Sequence, residues 1–296
     1  MRRREFCSEV SREAAESLGA TASRVDHWIL FEYRGVWSSE ALDGSALPDA
    51  VKAHLREQCE ARPHTKLLFI RREQRAQEPL RVFLARTREG GGDVYSLELE
   101  RYEDVLGVDL VSGPGSRVAH PLLLVCTHGK HDKCCARYGR PLYEALCDQV
   151  DAEWVWQTTH VGGDRFAGNL VCLPEGAYYG RVGRDDVWPL VDAHLGGRVR
   201  LENYRGRSCH TMVVQAAERA VREETGLLGY DEVSFVAVDR HGPDRWTVQL
   251  LARPAGAVHE VEVRLDRGPL AHLTCSSEML RRPRRYGATG RQLVGA

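Results

Sequence analysis

The sequence predicts an α/β protein in three parts, and its middle carries most of that reading. HPLLLVC at 120–126 is short and wholly apolar, as expected of a strand buried on both faces, and AEWVWQTT at 152–159 reads as a second strand. Between them Leu142, Leu146 and Val150 fall on one stripe, so about 133–149 is expected to be a helix joining parallel strands by a right-handed crossover. LVCLPEGAYYGRV at 170–182 reads as two short strands about the turn Pro174-Glu175-Gly176, and a helix at 185–196 ends at a glycine. Strand, helix, strand, hairpin, helix is the order of a thioredoxin-like fold, which places that domain at 116–206.

The first part, 1–115, reads as an α/β domain. A polar helix is expected at about 8–18, then a buried strand in HWILFEYRGVW (27–37). SALPDAVKAHLREQCEAR (45–62) sets Leu47, Val51 and Leu55 on one helical face. Three strands follow in TKLLFIRRE (65–73), LRVFLARTR (80–88) and DVYSLELERY (93–102), with GGG at 90–92 as a turn and LVSGPGSR (110–117) as a linker. The third part, 207–296, reads as a small α+β extension. It opens with the helix TMVVQAAERAVREETG (211–226) and continues with strands at VSFVAVDR, RWTVQLLAR and HEVEVRLD. The basic, turn-rich end RRPRRYGATGRQLVGA is expected to be loosely ordered. No internal repeat stands out.

A formal net charge of -1 over 296 residues argues against a nucleic-acid or anionic-membrane surface, and no apolar run approaches the roughly 18 residues of a membrane helix. The basic N-terminus is followed by a polar helix former rather than an apolar stretch, so it is not read as a secretory signal and a cytoplasmic location is expected. Nine cysteines in a chain this long do not form the framework of a small disulfide-rich domain. Cys7, Cys59, Cys147, Cys209 and Cys275 are scattered and read as ordinary thiols.

The chemistry gathers in two stretches that each follow a strand of the central unit, CTHGKHDKCC (126–135) and HVGGDRFAGN (160–169). Beyond the C-terminal ends of parallel strands such loops are expected to meet. Cys126 ends one strand, while Cys134 and Cys135 open the next helix, where the dipole favours thiolate. Three readings compete: buried structural cysteines, a thiol switch, or a metal site. A thioredoxin-type redox pair needs two intervening residues, and here the cysteines are adjacent. Cys126 and Cys135 span a loop able to wrap a metal, His160 adds imidazole, and Gly162 and Gly163 would let backbone approach an inorganic group. Four ligands from two loops would suit tetrahedral zinc or a [2Fe–2S] cluster, and the lack of the short cysteine pairs of a zinc ribbon favours the cluster.

CTHGKHDKCC, HVGGDRFAGNLV (160–171) and YYGRV (178–182) resemble the sucrase/ferredoxin-like family, the thioredoxin-like ferredoxins; CSEVSREAAESLGATASRVDHWILFEY (7–33) is similar to its bacterial members. The resemblance implies a thioredoxin-like ferredoxin domain carrying a [2Fe–2S] cluster on two cysteines with eight residues between them and two histidines in an H-x-x-x-H loop. Carried over, Cys126 and Cys135 are the thiolates and His160 the first histidine, while Asp164 stands where the second histidine is expected. A carboxylate there should lower the reduction potential, and Cys134 or Cys172 are substitutes for the fourth ligand. The function implied is electron transfer or redox sensing, coupled to pH through His160, by a carrier rather than an enzyme, with an unidentified redox protein or reductase as partner. The alternatives are a thiol-dependent oxidoreductase using Cys126 with Cys134 or Cys135, and a zinc-stabilised interaction module. No paired carboxylates stand in a recognisable glycosidase context, so nothing in the sequence supports sucrase activity.

Around these stretches, His128 and His131 read as exposed loop histidines, and Lys130, Lys133, Arg137 and Arg165 as a positive rim that stabilises an anionic centre or docks an acidic partner. Phe166 reads as a core plug, Asn169 as a tie for the loop backbone, and one of Tyr178 and Tyr179 as core, with Tyr179 and Arg181 on one strand face.

Overall fold

The computed structural model describes residues 6–73 and 78–295, so the basic run at 1–5 lies outside the described residues. In chain order the elements begin with α1 (Cys7–Glu13), β1 (His27–Glu32), α2 (Asp49–Glu60), β2 (Thr65–Arg71), β3 (Leu80–Arg86), β4 (Asp93–Leu99) and β5 (Ser116–Arg117). The middle holds β6 (Leu122–Cys126), α3 (Lys133–Gln149), β7 (Val155–Thr158), β8 (Leu170–Leu173), β9 (Ala177–Tyr179), α4 (Val187–Leu195) and β10 (Tyr204–Arg207). The rest is α5 (Met212–Thr225), β11 (Val233–Arg240), β12 (Arg245–Ala252), β13 (Ala257–Arg267) and β14 (Arg284–Gly295). The molecule is thus mixed α/β, with one large sheet and one small one.

The large sheet runs β10-β9-β8-β6-β7-β2-β1-β3-β4-β5. Its parallel pairs are β1 with β2 and β6 with β7, each bridged by a helix, α2 or α3. Outside each pair lies an antiparallel hairpin, β3–β4 beside β1 and β8–β9 beside β6. The two strand–helix–strand–hairpin units meet antiparallel where β2 pairs with β7, Ile70 opposite Thr158 and Arg71 opposite Gln157. A repeat that the residues do not announce is therefore present in the topology, and one sheet is continuous across residue 115.

Strand period explains the layers. In β6, Leu122, Leu124 and Cys126 face one core with Trp28, Trp156 and Cys135, while Leu123 and Val125 face the other with Leu142, Leu146 and Leu190. Both faces are covered, so β6 is apolar throughout. α3 starts where Asp132 accepts the Cys134 amide at 2.8 Å, an N-cap that fixes the direction in which the next side chains leave the helix.

α5 lays Val214, Ala217 and Val221 on Val248, Leu250, Val261 and Val263 of the small sheet, whose order is β11-β12-β13-β14. The basic C-terminal end departs from the expected loose order. Residues 284–295 form β14, antiparallel to β13 with Val261 opposite Arg291 and Leu265 opposite Tyr286. Little apolar alternation marks it; β14 completes the sheet through backbone pairing with a strand already anchored on α5. Similarly, the expected linker contains β5, which pairs with β4. β10 adds an edge strand with two buried arginines, Arg205 and Arg207.

Candidate metal centre

The centre follows from the β6–β7 register. Cys126 is opposite Thr158 in a parallel pair, so the loops leaving these strands emerge at one end of the sheet. The Thr127 amide donates to Thr158 O at 3.1 Å and the Cys126 amide to Asn169 O at 3.1 Å, tying the first loop to both ends of the second.

Within this fork the Cys126 and Cys135 sulfurs and a His160 ring nitrogen lie within 4.8 Å of one another, both cysteines being fully buried. The Cys135 thiol donates to Asp164 Oδ1 at 3.3 Å, and His160 Nδ1 stands 4.0 Å from Cys135 Sγ and 2.9 Å from the same Asp164 oxygen. His160 and Asp164 sit four residues apart, across the short 3-10 turn Asp164–Phe166. The side chain of His160 is 23% exposed, that of Asp164 4%, so the imidazole is the outer edge of the group.

The charges interlock. A hydrogen bond from Cys135 is the main reason the Cys126 thiol is held well below the ordinary range, with His160 assisting against burial. Cys135 is pushed up by the adjacent Cys126 sulfur, then by burial and Asp164. Burial opposes charge on His160, but Asp164 and Cys126 outweigh it and raise the imidazole to about 9. Burial likewise opposes the Asp164 carboxylate, and His160 overcomes it and lowers the pKa. The charged forms of Cys126, Asp164 and His160 thus favour one another against burial.

His131 stacks on His160 with ring centres 4.0 Å apart, and its ring nitrogen joins a His160 nitrogen and an Asp164 oxygen in a second possible ligand trio. The expected exposure of the loop histidines therefore fails. His131 is half-buried, and His128 is 2% exposed, its Nε2 donating to Ser38 O at 2.6 Å in a pocket walled by Trp37. These histidines precede a helix whose packing is set by residues far away, which the loop sequence does not reveal.

Two proposed substitutes lie elsewhere. Cys172 points into the opposite layer with Leu123 and Leu146, because it sits one residue out of phase with Val171 and Leu173 on β8. Cys134 faces away from Cys135, towards Cys7 and Cys275. Cys7 and Cys275 are accordingly more than scattered thiols.

The paired glycines serve a different approach from the one expected. Gly163, with φ 82°, leaves no room for a Cβ because Arg205 Nη2 would stand 2.4 Å from it. That buried guanidinium donates to Gly162 O at 2.9 Å, Asn169 Oδ1 at 2.8 Å and Thr21 O at 2.6 Å, clamping the second loop from beneath. Asn169 ties the loop as expected, its Nδ2 donating to Gly163 O at 2.9 Å. Phe166 is the expected core plug, under Arg165 and Arg205. The sequence pointed to no role for Arg205; its only signal is the alternation of arginine and small residues in YRGR, unusual for a strand interior.

The rim is smaller than the four expected cations. Arg165 pairs with Glu16 at 2.9 Å and Arg137 approaches Glu9 at 3.5 Å while covering Phe6. Lys130 and Lys133 remain exposed. Tyr178 and Tyr179 are both buried, one in each layer, and Arg181 lies beyond the end of β9 with a left-handed φ of 55°.

Residues 18–206, well over half of the chain, match the family model described as sucrase/ferredoxin-like. A 100-residue stretch is 37% identical to "Altered inheritance of mitochondria protein 32" of Meyerozyma guilliermondii, covering 30% of this chain and 35% of that one. The protein of the same name in Debaryomyces hansenii is 32% identical over 100 residues, 30% of this chain and 36% of its own. The chain thus matches about a third of the length of these curated relatives. No solved structure matches. No helix among the described residues is long and apolar enough to cross a membrane.

Proposed function

This chain belongs to the sucrase/ferredoxin-like family, and from that premise we propose that it is a thioredoxin-like ferredoxin that holds a [2Fe–2S] cluster and carries or senses electrons. The observation that carries the reading is the convergence of two buried sulfurs with a ring nitrogen within 4.8 Å, beside a buried carboxylate. The donor set fits such a group. Cys126 and Cys135 would supply two thiolates and His160 with Asp164 a nitrogen and an oxygen, a mixed donor set of the kind such clusters accept. The bound cluster would supply a one-electron redox step.

The chain's own residues set the conditions. Cys126 is already favoured as thiolate, whereas Cys135 and His160 must each release a proton before they bind metal. Asp164, held between Cys135 and His160, is the fourth ligand, with His131 as the cover over the imidazole. The exposed edge of His160 is where a partner comes nearest. Lys130 and Lys133, exposed on either side in sequence of the His131 that stacks on it, favour an acidic redox protein or reductase. A reducing compartment such as the cytoplasm suits nine free thiols.

Anaerobic purification with iron, sulfide and visible-absorption analysis tests the proposal. Brown protein with equal iron and sulfide supports it. Colourless protein whose thiols at Cys126 and Cys135 bind zinc, or titrate freely without metal, refutes it and favours the module or oxidoreductase reading respectively.

A further inference from the structure

The second sulfur cluster lies on the other side of the α3 N-terminus. Cys7 Sγ and Cys134 Sγ are 3.6 Å apart, Cys134 Sγ and Cys275 Sγ 3.3 Å, and Cys275 Sγ and Cys7 Sγ 3.6 Å. The three sulfurs thus form a nearly equilateral triangle. Tetrahedral zinc with Zn–S bonds of about 2.3 Å sets its sulfurs roughly 3.8 Å apart, so only a few tenths of an ångström separate this triangle from a zinc-binding one.

The fourth corner is present. Asp132 oxygens lie 3.9 and 4.0 Å from Cys7 Sγ, and Asp132 with the three sulfurs forms a set whose ligand atoms all fall within 4.8 Å of one another. Two amides aim this carboxylate, Cys134 N–H at 2.8 Å on Oδ1 and Cys275 N–H at 2.6 Å on Oδ2. The Ser8 hydroxyl donates to Cys134 Sγ at 3.1 Å, the kind of outer bond that orients a thiolate ligand. Cys7, Asp132 and Cys134 are buried, and Cys275 closes the group from the solvent side.

We propose that Cys7, Cys134, Cys275 and Asp132 bind one structural zinc ion. The site would staple three segments that are distant in sequence: the start of α1, the N-terminus of α3 and the loop between β13 and β14. That loop exposes Leu270, Met279 and Leu280 and has no apolar core of its own, so a metal crosslink gives it what packing does not. Cys7 and Cys275 fall outside residues 18–206, so this site is an addition to the part of the chain that the family model describes. It shares no ligand with the centre at Cys126 and stands or falls independently of the cluster.

The full chain, purified anaerobically without chelator, is analysed for zinc and iron separately. About one zinc per chain is expected, falling to about a tenth or less in Cys7→Ser and in Cys275→Ser while iron and visible absorption stay unchanged. Zinc is expected to persist in Cys126→Ser and Cys135→Ser. Should a serine variant misfold, cobalt(II) added to zinc-stripped wild-type chain provides the second readout, as intense visible d–d bands of tetrahedral thiolate coordination. The proposal is overturned by a zinc-free wild type that gives no such bands. A disulfide between Cys134 and Cys275 in that protein, or zinc that follows Cys126 and Cys135 instead, also overturns it; the latter result would count against the cluster too.

Discussion

Cys134 and Cys135 share a peptide bond, yet Cys134 Sγ lies 3.3 Å from Cys275 Sγ while Cys135 Sγ lies 3.3 Å from Asp164 Oδ1. Successive helical residues diverge by about 100°, so a cysteine pair at a helix start can serve two pockets at once. Replacing each in turn should therefore give crossed results. Cys135→Ser is expected to lose iron and retain zinc, and Cys134→Ser to lose zinc and retain iron. Loss of both metals from each variant would mean that the pockets are not separable.

Asp164 and His131 compete for the fourth position at the first centre, and the contacts favour Asp164, which touches both Cys135 and His160, whereas His131 stacks on the imidazole with a ring nitrogen within 4.8 Å of the His160 and Asp164 donors. Asp164→Ala should cut iron retention by on the order of tenfold or more, and His131→Ala should leave it close to wild type. The reverse order, read by iron content after desalting, would transfer the ligand role to His131.

Among the described residues Arg205 is buried without a carboxylate at ion-pair distance and is satisfied by oxygens of Thr21, Gly162 and Asn169. Arg205→Met leaves those oxygens without their donor and should cost about 3 kcal/mol, read as a lower urea midpoint at unchanged slope. Gly163→Ala should destabilise as well, because a Cβ there meets the same guanidinium at a backbone φ of 82°. A loss of under about 0.5 kcal/mol for Arg205→Met would show that the clamp contributes little.

The ion pair between Arg222 and Glu218 in α5 is fully buried at 2.9 Å, and Arg222 also donates to Leu227 O and Gly229 O. Removing the cation alone strands a buried carboxylate. Arg222→Met should cost roughly 3–5 kcal/mol, and Arg222→Met with Glu218→Leu should recover much of it. A double variant as unstable as the single one would locate the cost in lost carbonyl bonds.

His194, at the end of α4, is buried against the Tyr230 hydroxyl at 2.9 Å, and burial pushes its pKa down to about 4. The folded value lies below the unfolded one of about 6.5, so this contribution is fully present above pH 6.5 and is lost as pH falls towards 4, by at most about 3 kcal/mol. Glu175, 3.5 Å from Nε2, is itself raised by burial, and its easier protonation in the folded chain opposes the loss. Stability measured across that window should fall more steeply in the wild type than in His194→Asn. Equal slopes would assign the acid sensitivity to other groups.

Much of the central unit was legible because its signals are local. The apolar run of β6, the stripe on α3 and the turn at Gly176 each lie within a few residues, and α3 spans Lys133–Gln149 as the periodicity predicts. β14 was not legible, since RRYGATGRQLVG has little alternation and becomes a strand by pairing with β13. The burial of His128 was equally hidden. It depends on Ser38 and Trp37, about ninety residues earlier.

The sequence by itself determined that Cys126 ends a strand, that Cys135 opens a helix, and that the loop at 160–169 follows the neighbouring parallel strand, because strand and helix periods act over a few residues. Only the tertiary structure decided where Cys134 points and what waits there. Helical rotation turned it away from Cys135, and packing of the chain's two ends brought Cys7 and Cys275 to meet it. No local pattern encodes that meeting, because it is made by contacts between segments separated by most of the chain.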